Sequence, residues 1–285
     1  MKLFSKTRKS LTAQYTITKR DLRWFVMLRL SFFRSYPAEP ESLSNEVKRS
    51  ERSELLPRQF HPYRLYSSAI SIIRTNKSLF RQLYGFAAPE AKWGQYWDWT
   101  TVVLIHAIKR HLPPDADFLD LGCGPYAVLA RHVQLRYQCN SVTAADHCAE
   151  LLDYAKANDP KSGIRYLHSD LFSGMEGDFD LIAFNAPYID TEKGKARGLF
   201  PDTLSQKRFC GGKEGVETIR RFLMELPRHL KAEGKVLLGV NHYHIADAVM
   251  QASLWQSEYK CIDIMYNQIN KSCVYVLKRR NGAAV

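Results

Sequence analysis

The chain predicts an α/β fold: a doubly wound, mostly parallel seven-stranded sheet with an antiparallel C-terminal strand pair, preceded by a helical extension. Three observations predict it. From about residue 98 onward, short apolar runs alternate with stretches of helical spacing, the pattern of β-α-β units whose sheet is covered on both faces. The first apolar run ends in a glycine turn, "LGCG". The last two runs, "YKCIDIMYNQ" and "SCVYVLKR", are joined by the short "INK". That is too short for a parallel crossover, so they are expected to form an antiparallel hairpin at one edge of the sheet.

Element by element, Thr100 to His111 is spaced for a helix and leads into the strand "DFLDLGCG". A helix through "YAVLARHVQLR", the strand "SVTAAD", the helix "AELLDYAKAN" and the strand "IRYLHSD" follow. The strand "FDLIAFN", the helix "KEGVETIRRFLMELPRHL" and the strand "GKVLLGVN" come next, then a last helix and the two β-rich runs. A sheet of this kind binds ligands where its strands end, so the residues closing each strand are the ones to inspect.

Ahead of that domain (98–285), the chain divides into a basic arm (1–36), a linker (37–57) and a helical cap (58–97). The arm carries Lys2, Lys6, Arg8, Lys9, Lys19, Arg20, Arg23, Arg29 and Arg34 against the single acid Asp21, and "RDLRWFVMLRLSFFRS" within it is spaced for a helix. Three readings of the arm stand open: a solvated or packed helix, a contact to an acidic partner such as RNA, and an organellar targeting segment. The linker is polar and bracketed by prolines. In the cap, Leu65, Ala69, Ile72, Ile73, Leu79 and Leu83 recur at helical spacing.

Composition sets outer limits. The chain has 285 residues, 45% hydrophobic and 25% charged, enough for one large domain and an appendage. No apolar stretch is long enough to span a membrane. Six scattered cysteines without a C-x-x-C pair argue against a zinc site or a disulfide framework and for a reducing, cytoplasmic compartment. The net charge of +12 favours an acidic partner.

The strand ends carry the chemistry. Gly122 and Gly124 permit a tight turn and close approach of a ligand to backbone. With Ala127 they also fit G-x-G-x-x-A, the dinucleotide fingerprint, with Asp146 at the place of a ribose-binding acid, so a nicotinamide-dependent oxidoreductase is one alternative. Against it, Asp120 sits inside the turn, where it repels a pyrophosphate and attracts the ammonium and sulfonium of S-adenosylmethionine. Asp120, Asp146 and Asp170 close three successive strands, an acidic row in a basic protein. Plain structural roles compete: an N-cap for Asp146, a turn residue for Asp170.

After "FDLIAF" comes "NAPY", one letter from Asn-Pro-Pro-Tyr. Asn185 and the backbone carbonyl of Ala186 are two acceptors for an NH2 group, Tyr188 a flat apolar surface for a planar group, and Pro187 a stiffener. Ala186 gives up a rigid ring at this position and keeps the carbonyl. Trp93, Trp97 and Trp99 either roof this site or pack the cap onto the sheet. His242 and His244 read as hydrogen-bonded surface histidines, and no metal site is expected.

On "FLDLGCG", "VTAADHCAELLDYAKAN", "RYLHSDLF", "DFDLIAFNAPYI", "GGKEGVETIRRFL" and "LKAEGKVLLGV", the stretch from Trp99 to Arg279 resembles class I S-adenosylmethionine-dependent methyltransferases with their Rossmann-like sheet, most closely the HemK/PrmC-type branch. That branch methylates the glutamine amide of a Gly-Gly-Gln motif in release factors. The resemblance implies S-adenosylmethionine as cofactor. It puts Asp120 near the methionine amino end, Gly122, Cys123 and Gly124 around the cofactor, and Asp146 with His147 at the ribose. Asp170 and Leu171 would meet the adenine, and Asn185, Ala186, Pro187 and Tyr188 the acceptor nitrogen. The acceptor it implies is a release-factor-like protein. A base amine of rRNA, tRNA or DNA, a small molecule, or a catalytically silent binding module are the alternatives. The sequence departs from the branch at Tyr126, which replaces a frequent third glycine, and in "FPDTLSQKRFCGG", where an acidic-Pro segment is usual.

Overall fold

A computed structural model describes the backbone of residues 33–36 and residues 74–267 and 270–280. The elements are β1 (Phe33–Tyr36), α1 (Lys77–Tyr84), α2 (Trp99–His111), β2 (Ala116–Leu121), α3 (Val128–Arg136), β3 (Cys139–Asp146), α4 (Ala149–Ala157) and β4 (Arg165–His168). Then come β5 (Phe179–Asn185), β6 (Ile189–Asp190), α5 (Thr191–Ala196), α6 (Thr203–Phe209), β7 (Cys210–Gly212), α7 (Glu217–Glu225), β8 (Leu230–Asn241), α8 (Asp247–Trp255), β9 (Tyr259–Asn267) and β10 (Ser272–Arg279). Residues 1–32, the linker and the first part of the cap lie outside the described residues, and so do the readings made for them.

Eight strands form one sheet in the order β1-β9-β10-β8-β5-β2-β3-β4. Strands β4, β3, β2, β5 and β8 run parallel to one another, and β10 runs antiparallel to both β8 and β9. The predicted C-terminal pair is therefore present at one side of the sheet, with β1 added outside it. β10 inserts between β8 and β9 because its run from Ser272 to Leu277 is buried throughout, and a strand apolar on both faces belongs inside the sheet. β9, with Lys260 exposed, takes the outer place. Its free edge pairs with β1 from Phe33↔Asn267 to Tyr36↔Ile264, where the sequence suggested the tail of a helix. An open edge offers unpaired N–H and C=O groups, and backbone pairing outranks the weak helical spacing there.

Alternation along the strands splits the core in two. Ile182 and Phe184 face a cluster with Ile219, Phe222 and Leu223 of α7 and Met250 and Leu254 of α8. Leu181 and Ala183 point the other way, to Val103, Leu104 and Ile108 of α2 and Val133 of α3. Helix α2 shows why packing decides. Its Thr100, Thr101, Val102, Val103, Ile105 and Ile108 each cost about 0.5 kcal/mol against alanine in a helix. Burial of Val102, Val103, Leu104, Ile105 and Ile108 returns about 2 kcal/mol apiece, several times the cost. A capping box of Asp98 and Thr101 fixes its start, and Lys109 and Arg110 complement the dipole at its end. Among the described residues no helix is long and apolar enough to cross a membrane.

On α3, His132 is buried with Nδ1 3.4 Å from the Tyr84 carbonyl, so Nδ1 carries the proton. Burial, aided by Arg136, pushes its pKa down to about 4. Between about pH 6.5 and that value the unfolded chain binds a proton that the folded chain refuses, so this residue's contribution to stability falls as acid is added. Urea unfolding measured from pH 8 down to 4 should show a shallower acid loss in His132→Gln than in the parent.

Candidate active site

Strands β2 and β5 lie side by side at the point where the strand order reverses, with Leu121 opposite Phe184. Gly122 and Asn185 thus leave the sheet together, at the switch point where doubly wound sheets bind ligands. Gly122 (φ +67°) and Gly124 (φ +62°) adopt the left-handed conformation that glycine tolerates. A Cβ on Gly122 would come within 3.3 Å of the Phe184 ring, whereas one on Gly124 would point into open space. That side of the turn is therefore open. Tyr126, in place of a third glycine, does not advance the helix. A 3-10 turn over Gly124–Tyr126 and a left-handed Ala127 intervene, so α3 begins at Val128. The Tyr126 phenol instead anchors the segment before α2, accepting from Trp93 N–H and donating to the Gly94 carbonyl, both at 3.2 Å.

The carboxylates act first on backbone. Asp120 is buried and accepts the Ala130 N–H in the first turn of α3 at 2.9 Å. Burial outweighs that bond and, with Asp146 nearby, pushes its pKa up to about 7. Asp146 accepts Gly124 N–H at 2.8 Å and Cys148 N–H at 2.9 Å, tying the glycine turn to the start of α4. His147 lies 3.6 Å from it. The N–H groups of Gly124 and Ala130, which a pyrophosphate would need, are thus already bonded to carboxylates. Asp170 is the exposed member, paired with Arg221 of α7 at 2.9 Å, an ion pair weak enough in solvent to exchange for a ligand. Leu171 (φ +51°) is buried in the core beside it, and the Ser169 hydroxyl holds the loop by donating toward the Leu171 and Ser173 carbonyls.

On the other side, Asn185 closes β5. Its Nδ2 donates to Asp98 Oδ2 at 3.2 Å, while its Oδ1 is shielded from solvent and has no hydrogen-bond partner among the described residues. Ala186 is buried, and its N–H donates to the Gly239 carbonyl at 3.2 Å. A proline could not make that bond, so alanine exchanges ring stiffness for an anchor on β8. The rest of the loop lies on glycines. β6 pairs with β7, Ile189 opposite Cys210 and Asp190 opposite Gly212. A Cβ on Gly211 would meet the Pro187 carbonyl oxygen at 2.6 Å, and one on Gly215 would collide with that of Tyr188. The Tyr188 ring stacks on His244 with centroids 5.9 Å apart. Burial and the Asp98 carboxylate push its phenol up, so it stays neutral. Beyond it a cavity of about 290 Å³ is lined by Ile189, Lys193, Arg197 and His244.

The two histidines are not the surface pair expected. Burial and Arg197 push His244 down to about 4, so it is a neutral stacking partner. His242 is buried, 3.0 Å from the Tyr275 hydroxyl and from the Ile245 carbonyl. Trp97 packs in the core with Tyr84 and Trp99, and the indole N–H groups of Trp93, Trp97 and Trp99 are buried without partners among the described residues. Sequence reasoning missed Asp98, whose D-x-x-T spacing signals only a helix cap, and Arg208, whose guanidinium reaches from α6 to the Trp93 carbonyl at 3.1 Å. Among the described residues no cluster fit to hold a metal ion is present.

Residues 94–199 match the family model described as "Methyltransferase small domain". The fold agrees with the crystal structure of a methyltransferase from Pyrococcus furiosus, at a TM-score of 0.56 and 21% identity over 74% of this chain and 97% of that one. The match to a methyltransferase domain thus falls on the part of the chain that holds the glycine turn and the Asn185 loop, within a Rossmann-like sheet. Two curated relatives are named as protein glutamine methyltransferases. One, from Neisseria meningitidis, is named a ribosomal protein uL3 glutamine methyltransferase and is 31% identical over 44% of this chain and 42% of that protein. Another, from Koribacter versatilis, is named a release factor glutamine methyltransferase and is 29% identical over 56% and 59%. The chain spans about half the length of the curated relatives it matches.

Restoring the ring at 186 tests the role given to the Ala186 N–H. Ala186→Pro removes the bond to Gly239 and leaves a buried carbonyl short of its donor, which should cost about 1–2 kcal/mol in urea denaturation.

Proposed function

We propose that the chain is an S-adenosylmethionine-dependent methyltransferase whose acceptor is the side-chain amide of a protein glutamine. One observation carries this: beside the glycine turn, a buried amide oxygen on Asn185 lacks a donor among the described residues while its nitrogen is occupied by Asp98. A buried acceptor without a partner costs about 1–3 kcal/mol, and a site that keeps one is built to receive an N–H. The relatives' names supply the acceptor class.

The cofactor fits the donor set. The open side of Gly124 takes the ligand, Asp120 and Asp146 supply negative charge for a cation, and Leu171 with Asp170 suits an adenine. When bound, S-adenosylmethionine supplies an electrophilic methyl group on a sulfonium. The protein supplies the position and electronic state of the nucleophile. An amide nitrogen is a poor nucleophile because its lone pair is delocalised. Holding its two N–H bonds on Asn185 Oδ1 and the Ala186 carbonyl localises density on nitrogen and stabilises the positive charge that develops there. The proton displaced by the new N–C bond leaves to water. Tyr188, kept neutral and stacked on His244, gives the planar group a face to lie on. Because Asn185 Oδ1 is covered in this structure, acceptor binding includes displacement of its cover. The cavity beyond Tyr188 gives the acceptor chain a path.

Incubation with methyl-labelled S-adenosylmethionine and fractionated extract should put label in protein, and Asn185→Ala should lower turnover by about 100-fold or more. Label confined to RNA, DNA or metabolites would overturn the acceptor assigned. Titration calorimetry should find S-adenosylhomocysteine binding and no NAD binding.

Asp120 adds a pH dependence. With its pKa pushed up to about 7, the carboxyl is protonated below that value, and a cationic ligand favours the ionised form. Affinity for S-adenosylmethionine should therefore rise as pH increases through about 7, and Asp120→Asn should abolish the rise.

A further inference from the structure

An asparagine amide is nearly symmetric in shape, and turning it over exchanges an acceptor for a donor. Facing an incoming NH2, Asn185 works in one orientation only. In the other, donor meets donor. Nothing in Asn185 itself chooses between them. Its neighbour does: Asp98 Oδ2 lies 3.2 Å from Nδ2, and a carboxylate offers acceptors alone, so the nitrogen must point to Asp98 and the oxygen away from it.

Asp98 is itself held rigidly. Its Oδ1 accepts the Thr101 N–H at 2.7 Å and the Thr101 hydroxyl at 2.9 Å, closing the capping box at the start of α2. Helix α2 comes this close to β5 because Gly239 on β8, the residue paired with Asn185, has no side chain. A Cβ there would lie 2.7 Å from Thr100 Cγ2. Glycine, helix start, carboxylate and amide thus form one chain of contacts ending at an oxygen that has no partner among the described residues.

We propose that Asp98 is a positioning residue that fixes the Asn185 amide with Oδ1 toward the acceptor and, through the charge-assisted bond to Nδ2, raises the electron density on that oxygen. This rests on the methyl-transfer reading for its consequence, but not for its geometry. A charge on Asp98 polarises the amide toward the form with more negative oxygen, and a more negative oxygen better stabilises a nitrogen acquiring a methyl group. The capping role and the orienting role use different oxygens of the same carboxylate, so they can be separated.

Asp98→Ser keeps an N-cap side chain but is too short to reach Asn185. Asp98→Asn keeps both cap and reach and loses the charge. In side-chain amide NMR of the full chain without ligand, wild type should show a solvent-protected Asn185 Nδ2 proton that Asp98→Ser loses. With release factor and ribosomal protein uL3 as acceptor probes, Asp98→Ser should lower kcat by about 10- to 100-fold, the worth of one charge-assisted bond. KM for the acceptor and the Kd for S-adenosylhomocysteine should stay within about twofold, and Asp98→Asn should fall between. In an Asn185→Ala background Asp98→Ser should have no further effect on kcat, because residues acting through one another are not additive. An unchanged Asn185 amide signal in Asp98→Ser, or an equal loss of kcat with and without Asn185, would overturn the assignment. A wild-type protein that methylates neither probe but retains the protected amide would count against the acceptor assigned above while leaving the orientation by Asp98 in place.

Discussion

The pairing of β2 with β5 is the constraint on which the site depends. Two adjacent parallel strands, about 4.8 Å apart, deliver their C-terminal ends to the same place. One end is the glycine turn, the other the Asn185 loop, and Leu121 opposite Phe184 sets the level at which both leave the sheet. Slipping that register by one residue would exchange the faces of Ile182 and Phe184 with those of Leu181 and Ala183 and empty both cores at once. The site's geometry is therefore guarded by burial far larger than any single contact within it.

Around those two strand ends the protein uses carboxylates as backbone clamps. Asp120 holds the start of α3, Asp146 holds the glycine turn to α4, and Asp98 holds the start of α2. Each satisfies helix or turn N–H groups that a phosphate would otherwise seek, while leaving negative charge at the cleft. This is a coherent arrangement for a cation in a chain whose net charge is +12. It also explains how Asp146 serves a helix start without being the N-cap itself, which is Cys148.

The seven strands of the domain were legible in the sequence because each is an apolar run bounded by a turn. The glycine turn and the acidic strand ends were legible because few residue types suit those positions. The segment from Ile189 to Gly212 was not. Its elements β6, α5, α6 and β7 are short, their apolar residues follow no period, and they are held by the fit of Gly211 and Gly215 against the loop before them. The side on which β10 lies was not legible for a related reason: a short loop announces an antiparallel partner but does not say which strand of the pair will meet the rest of the sheet. His242 looked like a surface residue because its partner, Tyr275, is 33 positions away.

Ala186 marks the boundary between the two kinds of information. By itself the sequence determined that Asn185, Pro187 and Tyr188 lie where a strand gives way to a loop, since periodicity and residue type are local properties. Whether Ala186 leaves that loop slack was decided by Gly239, a residue of another strand whose carbonyl receives the N–H that proline lacks. The orientation of Asn185 was likewise decided by Asp98, 87 positions earlier. A helix cap and a strand end carry no mark of each other in the chain, and only the packing of α2 across Gly239 brings a carboxylate to an amide whose two ends are alike in shape and opposite in hydrogen bonding.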